Sequence, residues 1–137
     1  MSEPARLVLD ASIGVKWFKP EAGRRLAFDL LERAVRGEAA LLVPTHFVHE
    51  LLSVVRRHYS ADDIVPAWRL IDGAGISIIP LTDEVVSEAA SQCEVLGCSF
   101  YDALAPACAL LLDATLASAD RRAHGAFPGV LLVEDHD

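Results

Sequence analysis

Arg6-Leu7-Val8-Leu9-Asp10 is a short apolar run closed by an acid, and Ala11-Ser-Ile-Gly-Val-Lys-Trp-Phe18 follows it at once as a helical stretch. A strand that hands over directly to a helix is the unit of a layered α/β fold, and the rest of the chain repeats it. Further candidate strands are Leu41–Val43, Ser77–Leu81, Thr115–Ser118 and Val130–Val133. Helical candidates lie near Ala22–Val35, Thr45–His58, Ala61–Ile71, Asp83–Leu96 and Phe100–Leu112. Parallel strands need long crossovers, and these connections supply them.

Punctuation agrees with those boundaries. Pro20 and Gly23 separate the first two helices, Gly37 ends the second, and Pro44-Thr45 opens the third. Ser60 and Thr82 are good N-cap residues, each followed by acids that suit a helix N-terminus. With 137 residues, 53% of them hydrophobic and 23% charged, the chain has the material for one core, and residues 1–137 read as a single domain. No repeat or linker interrupts it.

The net charge of −8 argues against broad attraction to nucleic acid, so a polyanionic substrate would need bound metal and local arginines. Cys93, Cys98 and Cys108 are an odd count at spacings that match no zinc or redox pattern, and they read as reduced, packed thiols. The chain starts with a polar tetrapeptide, without the basic and apolar regions of a signal peptide. No apolar stretch nears the roughly 20 residues of a membrane span. The expected location is the cytoplasm.

Four acids carry the chemistry. Asp102 is the only charged side chain between Cys98 and Leu112, and an ionised group in an apolar helix loses hydration unless a counter-charge compensates it. Asp10 and Asp120 stand at the ends of strands, where parallel sheets form their ligand crevice. Glu50 falls beside Val54 at the margin of the stripe Phe47, Val48, Leu51, Leu52, Val54 and Val55. Each acid also has a local explanation. Asp10 and Asp120 can cap the helical segments that follow them, Ser99 to Asp102 resembles a capping box, and Glu50 suits an exposed helical face.

Should the four meet in one crevice, two unit charges 4 Å apart repel by about 4 kcal/mol at an effective dielectric of 20. A divalent cation offsets that repulsion. All-oxygen ligands select a hard ion, Mg²⁺ or Mn²⁺, over zinc. Such ions on carboxylates serve phosphoryl chemistry, so hydrolysis of phosphodiesters follows. The histidines at 46, 49, 58, 124 and 136 accompany no nucleophile elbow, and neither a Walker A loop nor a Gly-x-Gly-x-x-Gly turn occurs. A phospho-receiver module also gathers acids around Mg²⁺, but it requires a downstream lysine, and the only lysines are Lys16 and Lys19.

Taken in order, Val8-Leu9-Asp10-Ala11-Ser12, Glu50-Leu51-Leu52, Tyr101-Asp102-Ala103-Leu104 and Ser118-Ala119-Asp120-Arg121-Arg122 resemble the PIN-domain ribonucleases, especially VapC-type toxins of toxin–antitoxin pairs. The resemblance spans essentially the whole chain. It implies a three-layer α/β/α fold around a short-stranded, mostly parallel sheet, with Asp10, Glu50, Asp102 and Asp120 as the metal-binding acids. It further implies an RNA substrate, a homodimer and a small antitoxin whose tail covers the active groove. Ser118 matches a position where the family carries Thr or Ser, so its hydroxyl would orient water or a carboxylate, with Ser12 a weaker candidate for the same work. Arg121 and Arg122 would meet phosphates. One departure is Pro106, where the family has an ordinary helix former; proline there removes the amide that would bond the Asp102 carbonyl and is expected to kink the helix. The alternative to an enzyme is a non-catalytic domain of the same fold whose acidic groove binds a basic peptide.

Overall fold

The computed structural model describes residues 3–133. Within them five strands form one sheet: β1 (Ala5–Leu9), β2 (Ala39–Pro44), β3 (Ser77–Ile79), β4 (Thr115–Ser118) and β5 (Leu131–Leu132). Every pairing is parallel and the order across the sheet is β3-β2-β1-β4-β5. The central register sets Leu7 against Leu41 on one side and against Thr115 on the other. The chain winds outward from β1 to β3 and then resumes on the other side of β1 at β4. Ligand crevices form at such a reversal, outside the carboxyl ends of the strands.

Helices cover both faces, as an all-parallel sheet requires. On one face lie α1 (Ala11–Phe18), α2 (Arg24–Val35), α3 (Thr45–His58) and α4 (Ile64–Gly73), packed on Leu7, Leu9, Leu41 and Val43. The other face carries α5 (Asp83–Leu96) and α6 (Phe100–Leu111), which bury Val8 and Leu116. Leu7 and Leu9 thus go one way and Val8 the other, the two-residue alternation of a strand. The short α7 (Arg121–His124) follows β4.

Several boundaries differ from the sequence reading, each for a local reason. Asp10 is outside β1, with φ −76° and ψ 154°, and accepts a hydrogen bond from the Ser12 amide at 3.0 Å as the N-cap of α1. Strand β2 runs longer than Leu41–Val43, while β3 stops at Ile79, before Pro80, which has no amide to offer the sheet. The β5 run shrinks to Leu131–Leu132. Helix α2 begins at Arg24, because Gly23 adopts a left-handed φ of 83°. The stretch from Ala61 divides into a single 3₁₀ turn, Ala61–Asp63, and α4. There Ser60 gives its hydroxyl to the Asp63 carboxylate at 2.9 Å and caps no amide, whereas Thr82 does cap α5 by accepting from Val85 N at 3.2 Å.

Helix α6 is buried only through its middle, from Ala103 to Ala109, and its apolar ends are exposed at Tyr101, Leu110 and Leu111. Its alanines let the backbone lie close on β1 and β4. Cys108 belongs to that core, and burial pushes its thiol up to about 11, so it stays protonated and packs as a small hydrophobe. The three cysteines are free. Among the described residues no single helix is long and apolar enough to cross a membrane. His136 lies outside the described residues.

Candidate active site

A cleft of about 680 Å³ opens at the carboxyl ends of β1 and β4, and Asp10, Glu50, Asp102 and Asp120 all line it. Four separate elements deliver them. Asp10 stands where β1 hands over to α1, and its backbone extends the β1–β4 ladder through a 2.9 Å bond from Asp10 N to Ala117 O. Asp120 caps α7 by accepting from Ala123 N at 3.0 Å. Asp102 sits in the first turn of α6, where its amide donates to Ser99 Oγ at 3.2 Å. Glu50 projects from α3 and is exposed to the cleft. Capping and convergence therefore coexist: Asp10 and Asp120 hold their helix starts and face the cleft together.

Burial differs among the four. Asp10 is 7% exposed, Asp102 and Asp120 are half-buried and Glu50 is exposed. The sequence places Asp102 deep in an apolar helix, but the structure opens its turn to solvent, so the hydration loss expected there is only partial. Among the described residues no Lys or Arg forms an ion pair with Glu50, Asp102 or Asp120. Their negative field is felt at His46. Burial lowers the pKa of that histidine from 6.5, while the charges of Asp10, Glu50 and Asp102 pull it the other way.

The donor set is all oxygen, which suits a hard cation. Among the described residues no three of these side chains stand close enough to enclose an ion directly. An ion held there would keep part of its water shell and meet some carboxylates through it, as Mg²⁺ does.

Behind the cleft lies a hydrogen-bonded chain. Ser118 is fully buried, accepts from Asp120 N at 3.0 Å, and meets His124 Nδ1 at 2.6 Å and Ser12 Oγ at 3.4 Å. Its hydroxyl is committed to these neighbours and is not among the groups lining the cleft. Ser12 does line it, and accepts from Ala119 N at 2.9 Å. Arg121 and Arg122 are exposed on α7 and do not line it.

Residues that the sequence reading did not assign to the site also face it: His46, His49, Ser53 and Tyr101. The signal for two of them was present. His46 and Ser53 stand four before and three after Glu50 on one helix, which sets them on the same face. Tyr101 reaches back toward His46, with ring centroids 5.8 Å apart.

The fold has counterparts among solved structures. A toxin–antitoxin complex from Klebsiella pneumoniae matches with a TM-score of 0.73 at 17% identity, covering 93% of this chain and 97% of that one. VapBC2 from Rickettsia felis, bound to a DNA fragment from its promoter, gives 0.71 at 16% identity over 94% and 98%. VapC20 from Mycobacterium tuberculosis, a toxin that cleaves the sarcin-ricin loop, gives 0.69 at 15% over 91% and 98%. At such identities the likeness is one of fold. No curated protein sequence is detectably similar to the chain. The PIN domain model, however, matches residues 7–126, a span that holds all four acids, both serines and the whole cleft, and the chain belongs to the PIN domain family.

Proposed function

We propose that the protein is a metal-dependent endoribonuclease, the toxin of a toxin–antitoxin pair, that hydrolyses RNA phosphodiester bonds with Mg²⁺ or Mn²⁺. The observation that carries this reading is the convergence of Asp10, Glu50, Asp102 and Asp120, from four elements, on one cleft at the point where strand order reverses. The likeness in fold to toxin–antitoxin complexes supports the antitoxin as partner. The homodimer that the resemblance implies belongs to the same reading.

In this scheme Asp10, Asp102 and Asp120 hold the ion, and Glu50 meets it directly or through water. Bound there, it would activate a water, neutralise the non-bridging phosphate oxygens and stabilise the leaving oxygen. The carboxylates would orient that water, and no side chain would become attached to RNA. Ser118 acts from behind by fixing the Asp120 amide, not by touching water. Ser12 has the better access to the cleft. His46 and Tyr101 form a rim on which a base could stack.

The test is cleavage of a structured RNA with Mn²⁺, with and without EDTA, by the wild type and by Asp102→Asn. Cleavage should vanish on chelation and fall to background in the variant, whose circular dichroism stays native. Cleavage that survives both treatments would refute the reading. A wild type that cuts nothing yet binds a basic peptide in the cleft would favour an interaction domain.

A further inference from the structure

His124 is fully buried behind the cleft, 0% exposed, and its ring is linked to three of the four acids, to Asp102 and Asp10 directly and to Asp120 through Ser118. Its Nε2 lies 2.6 Å from the carbonyl oxygen of Asp102 and 4.0 Å from Asp10 Oδ1. Its Nδ1 lies 2.6 Å from Ser118 Oγ, the same oxygen that accepts the Asp120 amide. A carbonyl only accepts, so Nε2 carries a hydrogen; in the neutral ring Nδ1 then takes the Ser118 hydroxyl hydrogen.

The Asp102 carbonyl is open to that ring for a reason written in the sequence. In a regular helix it would accept the amide four residues on, but that residue is Pro106, which has none. Pro106 and the His124 ring are both fully buried, so the carbonyl is shielded from solvent on the side that faces them. An unmet buried carbonyl is costly. The His124 ring fills that vacancy from a different element.

We propose that Pro106 and His124 form a matched pair, in which His124 is a positioning residue that ties α6 to the end of β4 and so sets the spacing of Asp10, Asp102 and Asp120. The inference rests on the metal-binding reading of those acids. Groups that orient metal-binding side chains from behind commonly change metal affinity roughly 10- to 100-fold when removed.

Two measurements on the full chain test it: calorimetric titration with Mn²⁺, and urea denaturation in EDTA. His124→Gln keeps an N–H at similar reach, whereas His124→Met has similar length and no donor. Mn²⁺ dissociation constants should rise roughly tenfold in His124→Met and stay within about threefold of wild type in His124→Gln. Adding Pro106→Ala returns an intrahelical amide to the Asp102 carbonyl. It should therefore help His124→Met in urea more than it helps the wild type, without recovering Mn²⁺ affinity, because the tie to β4 is still missing. If His124→Met does not fold, His124→Asn, whose shorter amide falls short of the carbonyl, replaces it with the same expectation.

Equal Mn²⁺ binding by wild type and His124→Met would overturn the positioning role, even if the variant were less stable. Equal effects of Pro106→Ala in both backgrounds would overturn the matched pair. A wild type that takes up no Mn²⁺ would instead refute the metal-binding reading, and the role of His124 with it.

Discussion

His46 stands in the first turn of α3 with Nδ1 buried and, among the described residues, without a hydrogen-bond partner. Burial is the larger influence on it and lowers its pKa from 6.5, against the upward pull of Asp10, Glu50 and Asp102. The sign of the consequence follows. A folded-state pKa below that of the unfolded chain means that the unfolded chain binds more protons as pH falls, so stability drops from pH 6.5 downward. In EDTA, the urea midpoint of the wild type should fall between about pH 7.5 and about 5.5 more steeply than that of His46→Phe. Parallel slopes would show that burial of the ring has no such effect. Asp102→Asn, the variant that tests the proposed cleavage, also belongs to this scale, because it removes one charge and leaves the amide that Ser99 caps untouched.

Between elements, Gly14 governs how closely α1 lies on α3. A Cβ there would meet Phe47 Cζ at 2.5 Å and both Leu51 methyls at 2.8 Å, and Phe47 and Leu51 are fully buried. The two helices carry Asp10 and Glu50 at one end of this contact. Overpacking of this kind costs about 1–3 kcal/mol, offset by roughly 1 kcal/mol from the better helix propensity of alanine. Gly14→Ala should therefore lower the urea stability and widen the gap across which Asp10 and Glu50 would share the proposed ion, read as weaker Mn²⁺ binding. An unchanged midpoint would mean that the Phe47 ring yields freely. Its edge contact with Trp17, at 5.8 Å between ring centroids, argues otherwise.

For the whole molecule, the acid cluster is a local concentration of the negative charge that gives the chain its net −8. Among the described residues Glu50, Asp102 and Asp120 have no paired Lys or Arg, so carboxylates gathered in one cleft repel one another, and a cation bound as proposed would relieve that repulsion. A ligand that binds only the folded state stabilises it by about 2.7 kcal/mol at a hundredfold excess over Kd. Mn²⁺ should raise the thermal midpoint of the wild type, EDTA should reverse the rise, and the double variant Asp10→Asn with Asp120→Asn should show none. The variant should also melt higher than the metal-free wild type, since its cleft holds less repulsion. A metal response equal in both proteins would place the ion elsewhere.

Helices α1, α3 and α5 were readable to the residue because capping residues, proline and glycine mark their ends, and such signals act over a few residues. Short apolar runs bounded by turns likewise revealed the strands, although β5 and the first turn of α4 were misjudged where the ladder or the cap is decided by distant neighbours. The sequence by itself also determined which acids interrupt apolar surroundings, and it exposed the missing amide at Pro106. What answers that vacancy was beyond it: His124 meets Asp102 across 22 positions, and Ser12 meets Ser118 across 106. Those contacts exist because β1 and β4 are neighbours in the sheet, and strand adjacency is a property of how the layers pack. Local propensity fixes where a helix starts, but only the packed sheet decides which starts share a cleft.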